Sequence, residues 1–153
     1  MEKTLLVILT NLVPTVEQVG AIPLGLTLGL DPLLVFSLSI LVNCCLFFPI
    51  FFGLDFFYNL FLSRITFFKK YLEKVRSKGK PYVDKYGTIG IAVLMFLPSP
   101  FSGTYTASTL AWLLNLDWKK SLFAIFIGSF VGGLIILFSI LGIFSLLKNF
   151  LGL

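Results

Sequence analysis

Histidine is missing from this 153-residue chain, cysteine occurs twice, and charged residues make up only 12% of it. Each shortage removes a class of function. Without histidine there is no Ser-His catalytic pair and no histidine-ligated zinc. Cys44 and Cys45 are adjacent inside an apolar run. Neighbouring cysteines do not readily bridge each other and they form no CxxC pair, so they read as packing residues uninformative about redox compartment. The acids are Glu2, Glu17, Asp31, Asp55, Glu73, Asp84 and Asp117, and they offer no pair suited to an intramembrane carboxylate dyad. No glycine-rich phosphate loop with its lysine occurs, so direct use of ATP is not expected. These shortages predict a chain that is not an enzyme and that takes no metal or other cofactor.

What is present is apolar: 58% of the residues are hydrophobic and 16% aromatic. A soluble domain carries about 25% charged residues, and a fold of this size cannot hide so much Phe and Leu in one water-excluding core. The medium this chain is built for is lipid, and its length suits a single domain. The net charge is +5, and eight of the twelve basic residues lie between Arg64 and Lys85. A basic cluster flanked by apolar stretches follows the positive-inside rule for a cytoplasmic loop of a multi-pass cell-membrane protein. No recognition module accompanies the charge, so a nucleic-acid partner is not expected. Lys3 before the apolar residues 5–9 has the beginnings of a signal peptide, but Pro14 and Glu17 interrupt the pattern and no small-residue cleavage site follows. Cleavage is not expected.

Four stretches are uncharged or nearly so: 4–30, interrupted only by Glu17, and 32–54, 86–116 and 121–147. The spans 32–54 and 121–147 are long enough to cross the roughly 30 Å hydrocarbon core and are predicted to be transmembrane helices. The other two differ in kind. Residues 4–30 contain Pro14, Gly20, Pro23, Gly25 and Gly29, and residues 86–116 contain Gly87, Gly90, Pro98, Pro100 and Gly103. Proline removes a backbone donor and glycine weakens a helix, so neither segment reads as one rod. As a straight helix, 4–30 would be about 40 Å long; folded at its middle it gives two arms of about 20 Å. A re-entrant hairpin is predicted for each, with its freed backbone groups met by protein or water.

The two halves also resemble each other. A shift of 86 positions places Pro14 on Pro100, Ala21 on Ala107, Leu28 on Leu114, Leu30 on Leu116 and Asp31 on Asp117. Each half then reads as broken apolar segment, acidic residue, long helix. The predicted fold is an all-α integral membrane domain, an inverted repeat of re-entrant hairpin plus transmembrane helix. The first repeat is 1–63, a basic connector 64–86, and the second repeat 87–153. Charge counting does not separate this model from four simple spans: hairpins leave Lys3 and Lys148 outside and four spans leave Lys119 and Lys120 outside, so both put ten basic residues inside and two outside. The segments broken by Pro and Gly favour hairpins. Within the connector, Phe67, Phe68, Tyr71, Leu72 and Val75 recur at helical spacing among Lys69, Lys70, Glu73, Lys74 and Arg76. That pattern predicts an amphipathic helix lying in the headgroup layer, with membrane lipids as its partner.

Glu17 is the one acid deep inside an apolar segment, with no charged neighbour in sequence. A carboxylate in hydrocarbon is costly, and such a residue reads either as a proton-coupling or substrate-binding group or as a structural acid bonded to freed backbone at a hairpin tip. In the second half, Ser99, Ser102, Thr104, Tyr105, Thr106 and Ser108 place six hydroxyls in an otherwise apolar segment. They can replace backbone hydrogen bonds lost at the prolines or line a polar pathway. Asn43 in the first long helix can face the same cavity or bond another helix, and Gly128 and Gly132 in the last helix suit close helix packing.

The run Glu17-Gln-Val-Gly-Ala-Ile-Pro-Leu-Gly25 resembles the Glu-Leu-Arg-Gly-Ala-Ile-Pro signature of the small multidrug export protein family. Residues 85–90, Lys-Tyr-Gly-Thr-Ile-Gly, followed by the Pro/Gly/Thr-rich break and Trp112, are similar to its second half. That family is distantly similar to the DedA-like membrane proteins, which pair two re-entrant hairpins with transmembrane helices. The resemblance implies the hairpin model, proton-coupled transport or lipid translocation, and self-association. It singles out Glu17, Gly20 and Pro23 in the first half. The family's arginine falls on Val19 here, and the Pro/Ser/Thr stretch holds no arginine.

The expected function is therefore a small transporter-like membrane protein, an exporter of an unidentified small molecule, with Glu17 as its coupling or substrate group. A lipid flippase or scramblase with a hydroxyl-lined groove, and a structural subunit of a membrane complex, are the alternatives. Two hairpins that stop halfway are only partly covered by two long helices, so a homodimer is expected. The Gly128/Gly132 face is one candidate contact between copies.

Overall fold

The computed structural model of the chain describes residues 2–61, 64, 66, 67, 69, 70, 73, 74, 76, 77, 85–96 and 103–151. Among these residues the fold is all helical, and it alternates short and long elements. Helices α1 (Glu2–Asn11), α2 (Glu17–Thr27), α4 (Ile89–Phe96) and α5 (Thr104–Leu113) have 8 to 11 residues each. At 1.5 Å per residue they reach about 12–17 Å, roughly half a bilayer core. Helices α3 (Pro32–Leu60, 29 residues) and α6 (Trp118–Leu151, 34 residues) reach about 43 and 51 Å. Pro32–Leu60 and Trp118–Gly142 are long and apolar enough to cross a membrane.

Both long helices overrun the stretches expected for them. α3 continues past residue 54 through Asp55, whose carboxylate accepts hydrogen bonds from Asn59 Nδ2 (3.2 Å) and Trp112 Nε1 (3.3 Å). The acid is satisfied where it stands, so it does not end the helix. α6 starts at Trp118, before the two lysines, because the Asp117 carboxylate accepts the Lys120 N–H at 2.9 Å and caps the first turn. Asp31 does the same for α3 through the Leu34 N–H at 3.0 Å.

The break in the first apolar segment falls at 12–16, around Pro14, where Thr15 adopts a left-handed backbone (φ 71°). Pro23 and Gly20, which the sequence counted among the breakers, lie inside α2. The chain then doubles back, since the Lys3 ammonium near the start of α1 donates to the Leu28 carbonyl just past the end of α2 (2.8 Å). A cation at a helix C-terminus meets both the orphan carbonyls and the negative end of the dipole. The second half has a counterpart: Arg76 Nε donates to the Leu113 carbonyl at the end of α5 (3.1 Å).

The 86-residue spacing recurs in these turns. After α2, Gly29 is left-handed (φ 74°) and the Leu30 N–H reaches the Gly25 carbonyl; after α5, Asn115 is left-handed (φ 55°) and the Leu116 N–H reaches the Ala111 carbonyl. Ala21 and Ala107 are both fully buried. Pro100 and the rest of 97–102 lie outside the described residues, as do Phe68, Tyr71, Leu72 and Val75 of the expected connector helix.

α3 and α6 run antiparallel, with Phe36 against Phe130 (5.3 Å between ring centroids) and Phe52 against Trp118 (5.9 Å). Two apolar clusters flank their crossing. Val7, Ala21 and Ile22 pack with Val35, Phe36, Ile136 and Leu137 near the start of α3. Ile91, Met95, Ala107 and Ala111 pack with Phe47, Ala124 and Ile125 near the start of α6. The short helix pairs thus occupy opposite ends of the long ones. Gly128 belongs to this packing: a Cβ there would lie 2.6 Å from the Ala92 carbonyl oxygen and collide with Met95. That corrects its candidacy as a contact between copies, because its face is covered within the chain. Gly132 is buried too.

Cys44 and Cys45 are unpaired; Cys44 packs on the first apolar cluster, and Cys45 is exposed.

Candidate functional site

Between the two apolar clusters lies a layer of buried polar side chains. It is built where the start of α2 meets the start of α5. Glu17 opens α2 with a left-handed backbone (φ 37°), a conformation that costs a non-glycine residue on the order of 1–2 kcal/mol. The geometry turns its carboxylate to the other half of the chain. Glu17 Oε2 accepts the Thr104 N–H at 2.8 Å, and Oε1 lies 3.5 Å from the Tyr105 nitrogen.

These are first-turn donors of α5, which have no partner within their own helix, and the positive end of the helix dipole stands behind them. Glu17 is 5% exposed. Among the described residues no lysine or arginine pairs with it. Val19, where the family resemblance expects arginine, is 40% exposed. Backbone N–H groups, and no basic side chain among the described residues, meet the carboxylate here.

Gly103 makes the approach of the two segments close. Its backbone is extended, but a Cβ added there would stand 2.5 Å from Glu17 Oε1 and 2.7 Å from its carboxyl carbon. A second tie crosses the same junction, since the Tyr105 hydroxyl donates to the Leu12 carbonyl at 2.7 Å.

One residue along from Glu17, Gln18 joins a network at the crossing of the long helices. Asn43 Nδ2 donates to Gln18 Oε1 (3.1 Å) and to Ser129 Oγ (3.2 Å), and all three residues are buried. A further buried bond runs from Asn11 Nδ2 to Ser39 Oγ (3.1 Å). Among the described residues, no partner meets the buried Asn11 Oδ1, Asn43 Oδ1 or Ser108 Oγ.

Of the residues singled out from the sequence, Glu17, Thr104 and Tyr105 come together directly, and Asn43 joins them through Gln18. Thr106 is half-buried on α5. Gly20 lies on α2 against the Val16 side chain, and Pro23 is half-buried within α2. Ser99 and Ser102 fall outside the described residues. Gln18, Ser129 and Gly103 were missed as site residues. A signal for Ser129 was present, because the 86-residue shift carries Asn43 onto it. Gln18 maps in the same way onto Thr104.

A family model described as "Putative small multi-drug export protein" matches residues 17–135, from Glu17 through the polar layer and into the second half of α6. The chain belongs to this family. The match takes in every contact of the junction except the Leu12 carbonyl. Comparison with curated proteins and with solved structures gives no significant match. For a small multi-drug export protein the arrangement provides one carboxylate, shielded from bulk water, held by two N–H groups from the other half of the molecule. Such a group can exchange a proton or meet a cation. Among the described residues no group of three or more Cys, Asp or Glu side chains is gathered as for a metal ion.

Proposed function

We propose that the chain is a multi-pass cell-membrane exporter of small molecules in which Glu17 is the proton-coupling or substrate-binding group between two re-entrant hairpins. The observation that carries this reading is the buried Glu17 carboxylate accepting the Thr104 N–H. An ionised carboxylate accepts on both oxygens, while the neutral acid turns one of them into a donor. Binding a proton or a cationic substrate therefore weakens the tie between the starts of α2 and α5, and release restores it. The half-length helices, each doubling back, support α1–α2 and α4–α5 as re-entrant hairpins, and the matching turns 86 residues apart support an inverted repeat of 1–63 and 87–153 around the connector 64–86. The positive-inside rule places segment 64–85 in the cytoplasm. Residues 12–15 are exposed at what would be the bilayer midplane, where lipid offers no hydrogen bonds, and this supports a homodimer that covers them.

The test is transport by purified protein in vesicles carrying an imposed pH gradient, with a panel of lipophilic cations as substrates. The parent protein is expected to couple efflux to proton entry. Glu17→Gln keeps shape and an acceptor but cannot titrate, so it is expected to fold normally and to lose coupling. Coupled efflux by Glu17→Gln equal to the parent's would end the coupling role. Transbilayer movement of labelled lipid in the same vesicles, without cation efflux, would point to a flippase instead.

A further inference from the structure

The first turns of α6 carry a feature remote from the Glu17 junction. Trp118, Lys119 and Lys120 open the helix, and the Lys119 ammonium lies 5.5 Å from the centre of the Trp118 ring. Trp and Lys together at a helix end are residues of the headgroup layer. Beyond them Phe123 is 65% exposed and stands as a ridge between two grooves. On one side, Ile89 and Ala92 of α4 face Phe123, Ala124 and Ile127 across about 570 Å³, with Lys119 and Lys120 at the polar end. On the other, Cys45 and Phe48 of α3 face Leu122, Phe123 and Phe126 across about 410 Å³, and this groove also ends at Lys119. It runs on past Cys44 and Phe126 into a third apolar groove of about 520 Å³ that reaches Leu33 and Phe130. From Lys119 to Phe130 the helix rises about 16 Å, close to one leaflet of a roughly 30 Å core.

Two apolar channels on either side of one ridge, joined at a shared cationic end, have the shape and charge of one class of molecule. We infer that this double groove binds a single anionic two-tailed phospholipid, its phosphate at Lys119 and Lys120 and one acyl chain on each side of Phe123. The adjacent Asp117 carboxylate keeps its charge but is turned to the Lys120 backbone N–H at the helix cap and lines neither groove, whereas the lysines do. A helix from a second copy, about 10 Å across with its side chains, would sit on one broad face and not divide around a ridge. The inference does not use Glu17 and stands or falls separately from the export reading.

Native mass spectrometry of the full chain in detergent, titrated with phosphatidylglycerol or phosphatidylcholine, tests it. One phosphatidylglycerol per chain is expected, held more tightly than phosphatidylcholine. Each lysine near an anionic headgroup contributes about fivefold, so Lys119→Gln with Lys120→Gln is expected to weaken phosphatidylglycerol binding about thirtyfold. Lys119→Arg with Lys120→Arg is expected to restore it, and Lys148→Gln, near the far end of α6, to leave it unchanged. Equal binding of the two lipids by the parent, no loss in the double Gln variant, or an equal loss in Lys148→Gln would overturn the site. So would efficient crosslinking of Phe123→Cys between two copies with no lipid retained.

Discussion

Asn43 and Ser129 stand 86 positions apart and share a hydrogen bond of 3.2 Å at the crossing of the two long helices. That is the spacing at which the two halves of the sequence match. Equivalent positions of two halves related by a two-fold axis touch only where the axis passes, so this contact marks the axis of the proposed repeat. It also sets a polar pair between two apolar clusters, where each hydrogen bond is sheltered from water.

Removing Asn43 is expected to cost more than removing Ser129. Asn43→Ala deletes two hydrogen bonds and leaves the buried Gln18 amide oxygen without its donor, a loss of about 1–3 kcal/mol. Ser129→Ala deletes one bond and is expected to cost about 0.6–1.7 kcal/mol, the range of single interhelical bonds in membranes. Reversible unfolding in mixed micelles measures both. Equal, negligible losses would show that the network does not hold the crossing together.

Substitutions at Glu17 separate charge from hydrogen bonding. Glu17→Leu leaves the Thr104 and Tyr105 N–H groups of α5 without an acceptor in a buried site, and a loss of about 1–3 kcal/mol is expected. Glu17→Gln retains an acceptor oxygen and is expected to lose less than half as much. If the two variants unfold alike, the bonds from α5 contribute little and the carboxylate is held by something else.

Gly103 and Gly128 are both sites of close approach, but what each meets differs. A Cβ on Gly103 meets the end of the Glu17 side chain, which can swing away, so Gly103→Ala is expected to fold nearly as well as the parent and to lose transport. A Cβ on Gly128 meets Met95 Cβ and the Ala92 backbone, which cannot move without shifting α4. Gly128→Ala is expected to lose about 1–3 kcal/mol, the range for overpacking a core. Vesicle transport and unfolding measured on both variants check the contrast.

Topology is tested at Lys119. In a background with Cys44 and Cys45 replaced by alanine, a cysteine at Lys119 is expected to resist an impermeant thiol reagent added to intact cells. A model of four simple spans places that position outside, and labelling there would remove the re-entrant hairpins.

How much of this could be read from the chain alone follows from how local each feature is. Composition and run length depend only on nearby residues, so the apolar, membrane-capable character, the two long helices and the break in the first short segment were legible. Family membership was legible in the run from Glu17 to Gly25. Helix ends were misjudged by several residues, because Asp55 is satisfied by Trp112, 57 positions away, and Asp117 caps α6 ahead of its lysines. Glu17 stood out by its charge, but the sequence offered it no partner, since a backbone N–H is present at every residue except proline and carries no signature. Only the tertiary structure brings the donors of Thr104 and Tyr105 to it, across 87 and 88 positions. Helices apolar on every side carry no pattern to say which face meets which neighbour. The contact of Gly128 with α4 was therefore decided by packing, and that of Asn43 with Ser129 had only the 86-residue match to announce it.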